Sequence, residues 1–190
     1  GFYDLIFKTT DTLAEALFTT FTSAVSGAEE GVGIAGMYSE INVDNDADAH
    51  IGNGARVNTD GAGAQDSQAV SVKARNEIDA INVAGNVEVN LGSITKPLSS
   101  SGKALGGSVN NINYEVDVEA YIADGATVNA RKDVSVDAGS LDRIVNVSVA
   151  GGKAAAYGLE GSVNLVDVDT TVRAFVDDKA TVHAGNDVAI

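Results

Sequence analysis

The chain contains no cysteine and no tryptophan, a single proline, and aromatic residues at only 5% of its 190 positions. Without cysteine there can be no disulfide, no thiolate metal site and no thiol nucleophile. Lack of cysteine is also compatible with export through a bacterial envelope. With so few rings, a large aromatic core is excluded. The 44% hydrophobic content is instead rich in Val and Ala, which suits narrow, evenly packed β layers. Basic residues are scarce as well: 12 Lys and Arg stand against 27 Asp and Glu, for a formal net charge of −15. No basic patch can be assembled to neutralise phosphates, so nucleic acid is excluded as a partner and anionic membranes are disfavoured. Net charge of this size keeps a repetitive β protein soluble by self-repulsion. No apolar run reaches the roughly eighteen residues of a membrane-spanning helix, so no membrane insertion is expected. The N-terminus lacks the basic region of a signal peptide. The chain starts without Met and stops on the strand-like Asp187-Val188-Ala189-Ile190, as expected of a piece of a longer protein.

What is present is repetition. The stretch AYIADGATVNARKDVSVDA, from Ala120 to Ala138, recurs as AFVDDKATVHAGNDVAI from Ala174, 54 positions on. It also recurs 71 positions earlier as AHIGNGARVNT, from Ala49 to Thr59. Past that point the offset to Val70-Ser71-Val72-Lys73-Ala74 is 64, so the first copy carries an insertion of 7 residues around GAGAQDSQ. Self-similarity at such spacing marks a stacked, quasi-one-dimensional fold. Approximate copies span 36–91, 105–150 and 159–190 within a repeat region of 31–190.

Residues 1–30 read differently. Thr10 or Asp11 can cap a helix with Glu15 in its first turns, and Leu13, Leu17, Phe21 and Ala24-Val25 recur at helical spacing until Gly27. Phe2, Phe7, Phe18 and Phe21 lie in or before it. We expect one N-terminal α-helix, packed on the β repeats or capping their open edge.

From Gly31 the period changes to two. Ile112-Asn113-Tyr114-Glu115-Val116-Asp117-Val118-Glu119-Ala120-Tyr121-Ile122 alternates almost strictly, so the even positions should be buried and the odd ones should meet water. Each copy then turns at GNGA, ADGA or DDKA, where Gly54 and Gly125 can adopt a left-handed conformation and Lys179 would be less comfortable. Equivalent positions match in type between copies, as they would if equal faces lay above one another. The expected class is therefore mainly β, a parallel β-helix or β-solenoid. Tandem β-sandwich modules are the alternative. A period of 54 divides as three coils of 18 or two of 27, and three is the preferred division.

The stretches GGSVNNINYEVDVEAYIADGATVNARKDVSVDA and LEGSVNLVDVDTTVRAFVDDKATVHAGNDVAI resemble the repeats of very large Gram-negative surface and secreted proteins. These are the filamentous haemagglutinin-like adhesins and the related leukotoxin-type filamentous adhesins. The resemblance covers roughly residues 31–190. It implies a right-handed parallel β-helix, export across the outer membrane to the cell surface or medium, and adhesion spread over a very long chain. The N-terminal stretch departs from that pattern.

Two groups of residues are candidate sites. Asp44, Asp46 and Asp48 project from one face of the first long strand. Carboxylates so arranged suit Ca²⁺, which takes six to eight oxygen ligands; a solvated acidic face is the competing reading, and no other cofactor is expected. No EF-hand spacing or GGxGxDxUx nonapeptide is present. His50, Tyr121 and Phe175 occupy equivalent outward positions, an aromatic column that would either stack on sugar rings or lie under a loop or the N-terminal helix. Right-handed β-helices also host polysaccharide lyases and hydrolases, which cluster carboxylates with Lys or Arg. Here the basic residues are scattered, and neither GxSxG nor HExxH occurs. The expected role is non-catalytic: a rigid spacer and extended interaction surface of an adhesin. Its partner would be a receptor or glycan on a host or neighbouring cell, and its edges would be open to self-association. A carbohydrate-binding or carbohydrate-active β-helix is the alternative.

Overall fold

The computed structural model describes residues 18–23, 32–59, 65–85, 103–149 and 157–190. Every regular element among them is a strand: β1 (Phe18–Ser23), β2 (Val32–Ile51), β3 (Arg56–Val57), β4 (Val70–Gly85), β5 (Lys103–Ile122), β6 (Thr127–Ala130), β7 (Val134–Val149), β8 (Gly158–Val176), β9 (Thr181–Ala184) and β10 (Val188–Ala189). They form three sheets, in the orders β1-β4-β7-β10, β2-β5-β8 and β3-β6-β9. Pairing is parallel, with Phe18 opposite Ala80, Arg56 opposite Thr127, Thr127 opposite Thr181 and Val188 opposite Val134. Tandem sandwiches would need antiparallel pairs, so the architecture is β-helix-like.

The sequence offsets reappear as the registers. Asn113 Nδ2 donates to Asn42 Oδ1, 71 positions earlier, at 2.7 Å. Ser135 Oγ donates to Ser71 Oγ, 64 positions earlier, and Arg173 Nε donates to Glu119, 54 positions earlier. The change from 71 at Asn58–Asn129 to 64 at Ser71–Ser135 falls between β3 and β4, where the seven-residue insertion lies.

Two expectations are corrected. One repeat is one coil, because residues one full period apart are direct hydrogen-bonded neighbours. The three coils of 18 fail for a simple reason: strands of 20 and 16 residues exceed the usual five or six, so a single turn of the chain uses up the whole repeat. The second correction concerns the helix expected across Leu13–Val25. Phe18–Ser23 is strand β1, paired parallel with β4. Backbone hydrogen bonding to a ready sheet edge overrides the helical spacing of a few apolar residues, since propensity is a weak prior. The remainder of 1–30 lies outside the described residues.

The corner between the long and short strands shows how the ladder survives a turn. In each coil a four-residue turn closes by an i+3 bond: Ala55 to Gly52, Ala126 to Ala123 and Ala180 to Asp177, at 3.1, 3.2 and 3.3 Å. The third turn position has φ of 64° at Gly54, 67° at Gly125 and 57° at Lys179. The Lys turn keeps the shape of its glycine counterparts despite the steric cost of Cβ in that region. Gly54 and Gly125 also donate to Asp124 and Asp178 of the next coil, at 3.0 and 3.3 Å. Strand pairing therefore continues through the bend.

The chain divides into two compact units, and each long strand contributes to both. The unit of 44–77, 115–142 and 169–190 has an aliphatic interior of Val116, Val118, Ala120, Ile122, Val128, Val134 and Val136, each at most 2% exposed. Each large side chain among them contributes roughly 1.5–3 kcal/mol by leaving water. Glu115 and Asp117 are exposed between them, and Glu119 and Tyr121 are half-buried, so the alternation read from the sequence holds. Asn76 is buried here too, accepting from Asn45 and donating to Ser140 and Asp142 at 3.0 and 2.8 Å.

The unit of 1–43, 78–114 and 143–168 has a mixed interior. Ile78, Ala80, Ile112 and Tyr114 are buried beside Ser39, Asn82, Ser108 and Asn110. Ser39 donates to Asn82 at 3.1 Å, Ser108 and Ser148 share a bond of 2.7 Å, and Asn110 donates to Asn146 and to the Val147 carbonyl at 3.0 and 2.9 Å. Each bond links β2 or β5 to β4 or β7, tying one long sheet to the other. On the same unit's surface, Arg143 Nε donates to Asp79 at 2.6 Å across adjacent coils. That bond holds the Asp79 carboxyl below its ordinary value of 3.8, against an opposing effect of burial.

Coil spacing leaves one glycine no room for a side chain. A Cβ at Gly185 would overlap the Arg131 carbonyl oxygen of the neighbouring coil, whereas a Cβ at Gly139 meets nothing. Gly185→Ala should destabilise the fold by about 1–3 kcal/mol in urea unfolding, the usual cost of overpacking. Gly139→Ala should stay within about 0.5 kcal/mol of the parent. Equal stability of the two variants would show that the corner is not packed as described.

Candidate functional site

The outward face of β2, β5 and β8 carries the residues singled out in the sequence. Strict alternation puts His50, Tyr121 and Phe175 on that face, and the offsets of 71 and 54 make them neighbours in successive coils. Their rings stack: His50 to Tyr121 with centroids 4.9 Å apart and planes 13° apart, Tyr121 to Phe175 at 4.9 Å and 2°. Ring spacing matches the strand spacing of about 4.8 Å, so the backbone ladder sets the stack. All three predicted column residues are brought together.

Two residues before each ring stands a second column, Asp48, Glu119 and Arg173. His50 Nδ1 lies 2.9 Å from Asp48. Arg173 donates Nε to Glu119 at 2.8 Å and places its guanidinium carbon 5.7 Å from the Phe175 ring centre, a cation–π contact. The Glu119 hydrogen bond, followed by its charge, pushes the Arg173 guanidinium above its ordinary value. Burial pushes the Tyr121 phenol up from 10.0, followed by the charges of Asp48, Glu119 and Asp177 and by its hydrogen bond to Asp48.

This arrangement limits what the column can bind. Stacking on a sugar needs a free ring face, and Tyr121 has one face on His50 and the other on Phe175. Within the column, only the outer faces of His50 and Phe175 are not used by a neighbouring ring.

Asp44, Asp46 and Asp48 are all exposed on β2. Alternate residues of a strand are about 6.7 Å apart, so the three carboxylates line up rather than converge. Asp48 is also engaged by His50, whose Nδ1 lies 2.9 Å away. No group of three His, Cys, Asp or Glu suited to a metal ion occurs among the described residues.

Inward polar residues were not anticipated from the alternation. Asn76, Asn82 and Asn110 occupy positions that the period assigned to apolar side chains. The repetition of Ser108-Val109-Asn110 as Ser162-Val163-Asn164 carried a signal for one of them. Comparison with protein-family models, with curated proteins and with solved structures gives no match.

Two measurements test this face. EDTA should leave the melting temperature unchanged, whereas an occupied Ca²⁺ site at a hundredfold excess over Kd would add about 3 kcal/mol, a shift of several degrees. The second concerns alkali. Tyr121 has a folded-state pKa above its unfolded value, so its contribution is present below pH 10 and is lost as pH rises through the raised value. Thermal stability of Tyr121→Phe should therefore fall less steeply above pH 10 than that of the parent. Identical alkaline slopes would mean that the phenol is not held as described.

Proposed function

We propose that this chain is a structural β-solenoid segment of a large bacterial surface or secreted adhesin. It is wound right-handed and acts outside the cell as a rigid spacer and extended interaction surface. One observation carries the reading: the sequence repeat equals the hydrogen-bonding register on all three sheets and through the corners between them. A chain built this way extends by adding coils, each contacting its neighbours. Outward side chains supply further ladders. Asn42 bonds to Asn113, Ser71 to Ser135, and Glu119 to Arg173, so the polar surface is spent on joining coils.

The adhesin assignment rests on the resemblance of the two long repeats, on the acidic, cysteine-free composition and on the coil stack. Catalysis is not part of the proposal, because the outward carboxylates line up along strands rather than facing a basic partner across a cleft. Receptor or glycan recognition would then fall to the extended outer surface or to other parts of the parent protein. The carbohydrate-binding alternative is left only the outer ring faces of the aromatic column.

Length is the test. Inserting three further copies of residues 105–158 should lengthen the particle in small-angle scattering by about 14 Å, three coils at about 4.8 Å each. An increase in girth without that increase in length would overturn the spacer reading.

A further inference from the structure

The outward residues of β2, β5 and β8 change character along the strands. In the unit of 44–77, 115–142 and 169–190 they are charged, as in the columns Asp44, Glu115, Asp169 and Asp48, Glu119, Arg173. In the unit of 1–43, 78–114 and 143–168, three successive outward columns carry no charge. Gly36, Gly107 and Gly161 form the middle one. Ile34, Leu105 and Leu159 stand on one side of it, and Tyr38, Val109 and Val163 on the other. The repeat offsets hold here too: Asn42 bonds to Asn113, and a Cβ on Gly107 would lie 3.5 Å from the Gly161 carbonyl oxygen. Leu105 has a paired strand on each side and is still 41% exposed, so its exposure does not come from a sheet edge.

The fold itself gives no reason for these glycines. None of the three has the left-handed backbone of Gly54 and Gly125, and a Cβ at Gly36 or Gly161 would meet nothing. Glycine weakens a strand interior, and where no bulge or bend needs it, it marks a close approach from outside. Alternate residues of a strand are about 6.7 Å apart. Two apolar ridges about 13 Å apart therefore border a furrow floored by backbone.

We propose that this furrowed face binds the same face of a second copy of the chain. The two sheets lie face to face about a two-fold axis parallel to the coil stack, placed between the glycine and Tyr38 columns. Tyr38, Val109 and Val163 of each copy then enter the furrow of the other, over Gly36, Gly107 and Gly161. In the same step Leu159 meets Leu165, and Lys103 meets Asn113 one coil from Asp167. One juxtaposition opposes this, Ile34 on Glu40, whose carboxylate already accepts from Tyr38 and Asn42. Because the axis follows the stack, each coil meets its equivalent and every added coil lengthens the contact.

Area and charge carry the choice of occupant. At the exposure of Leu105 a large side chain shows on the order of 80 Å². With Val32 and Leu165 added to the six ridge residues, each copy presents roughly 600 Å², so the pair clears the ~1,000 Å² that a specific interface needs. A face without charge is also where two chains of net charge −15 can meet. This pairing goes beyond the spacer role and rests on the outward columns alone, so a monomeric chain would leave the spacer reading standing.

The contact is isologous and closes at two copies. Sedimentation of the 190-residue chain should show a mass that rises with concentration to twice 19.3 kDa and levels there. Added salt should tighten association by screening the net charge. Val163→Lys should weaken it by about tenfold or more, since a charge would be buried in the furrow. Gly161→Thr fills the furrow with a residue that favours strands. It should weaken association likewise, with no loss of melting temperature in dilute solution. Leu141→Lys, at an exposed leucine of β7, should leave association unchanged. A second readout uses the absence of native cysteine: Gly161→Cys mixed with Val163→Cys should oxidise to a covalent dimer in higher yield than either alone. A chain that stays monomeric at every concentration overturns the proposal. So do association that survives both Val163→Lys and Gly161→Thr, an equal loss in Leu141→Lys, and equal cross-linking of each cysteine variant alone.

Discussion

Everything in this structure depends on parallel pairing in constant register between residues one repeat apart. Once Thr127 lies opposite Arg56 and Thr181 opposite Thr127, the remaining geometry follows from strand physics. Neighbouring strands are about 4.8 Å apart and side chains alternate between faces. Equal residues therefore stack on equal residues, and every property of one coil becomes a column. A slip of one residue would move each buried side chain to the solvent face. Val116, Val118 and Ala120 would be exchanged for Glu115, Asp117 and Glu119. That penalty, repeated over three sheets, is what holds the register.

Stacking like on like suits apolar and amide columns and is costly for charged ones. The asparagines gain from it: Asn42 bonds to Asn113, and Asn58 and Asn129 each bond to the other's backbone carbonyl. Carboxylates do not gain, because like charges directly opposite are destabilising. The chain relieves this by changing sign between coils at particular places. Asp79 meets Arg143, Glu119 meets Arg173, and Lys73 lies 4.0 Å from Asp137. Each pair is exposed enough to contribute little alone. Their effect is to remove repulsion from a surface that is otherwise acidic. The same constraint limits the spacer proposed above, since it requires one coil to accept another without opposing its charge.

The aromatic column shows how a structural ladder and a candidate binding site compete for the same groups. Rings fixed at the strand spacing use their faces on one another. What they leave is a line of ring edges and two terminal faces. An outward row of rings is not by itself a sugar platform, because ring orientation decides whether a face is open.

The amino-acid sequence by itself determined the mainly β class, the repeat offsets, the alternation of β5 and the equivalence of His50, Tyr121 and Phe175. These are periodic properties, and periodicity is visible along a single chain. Tertiary structure alone decided how many coils a repeat makes, because that depends on strand length and corner position, which alternation does not limit. It also decided that Phe18–Ser23 is a strand, since the edge of β4 that it joins comes from residues about 62 positions away. Ser39 meeting Asn82, and Asn110 meeting Asn146, were likewise invisible beforehand. A buried amide is tolerated only when a partner stands opposite it, and the partners come from strands that only the folded coil brings face to face.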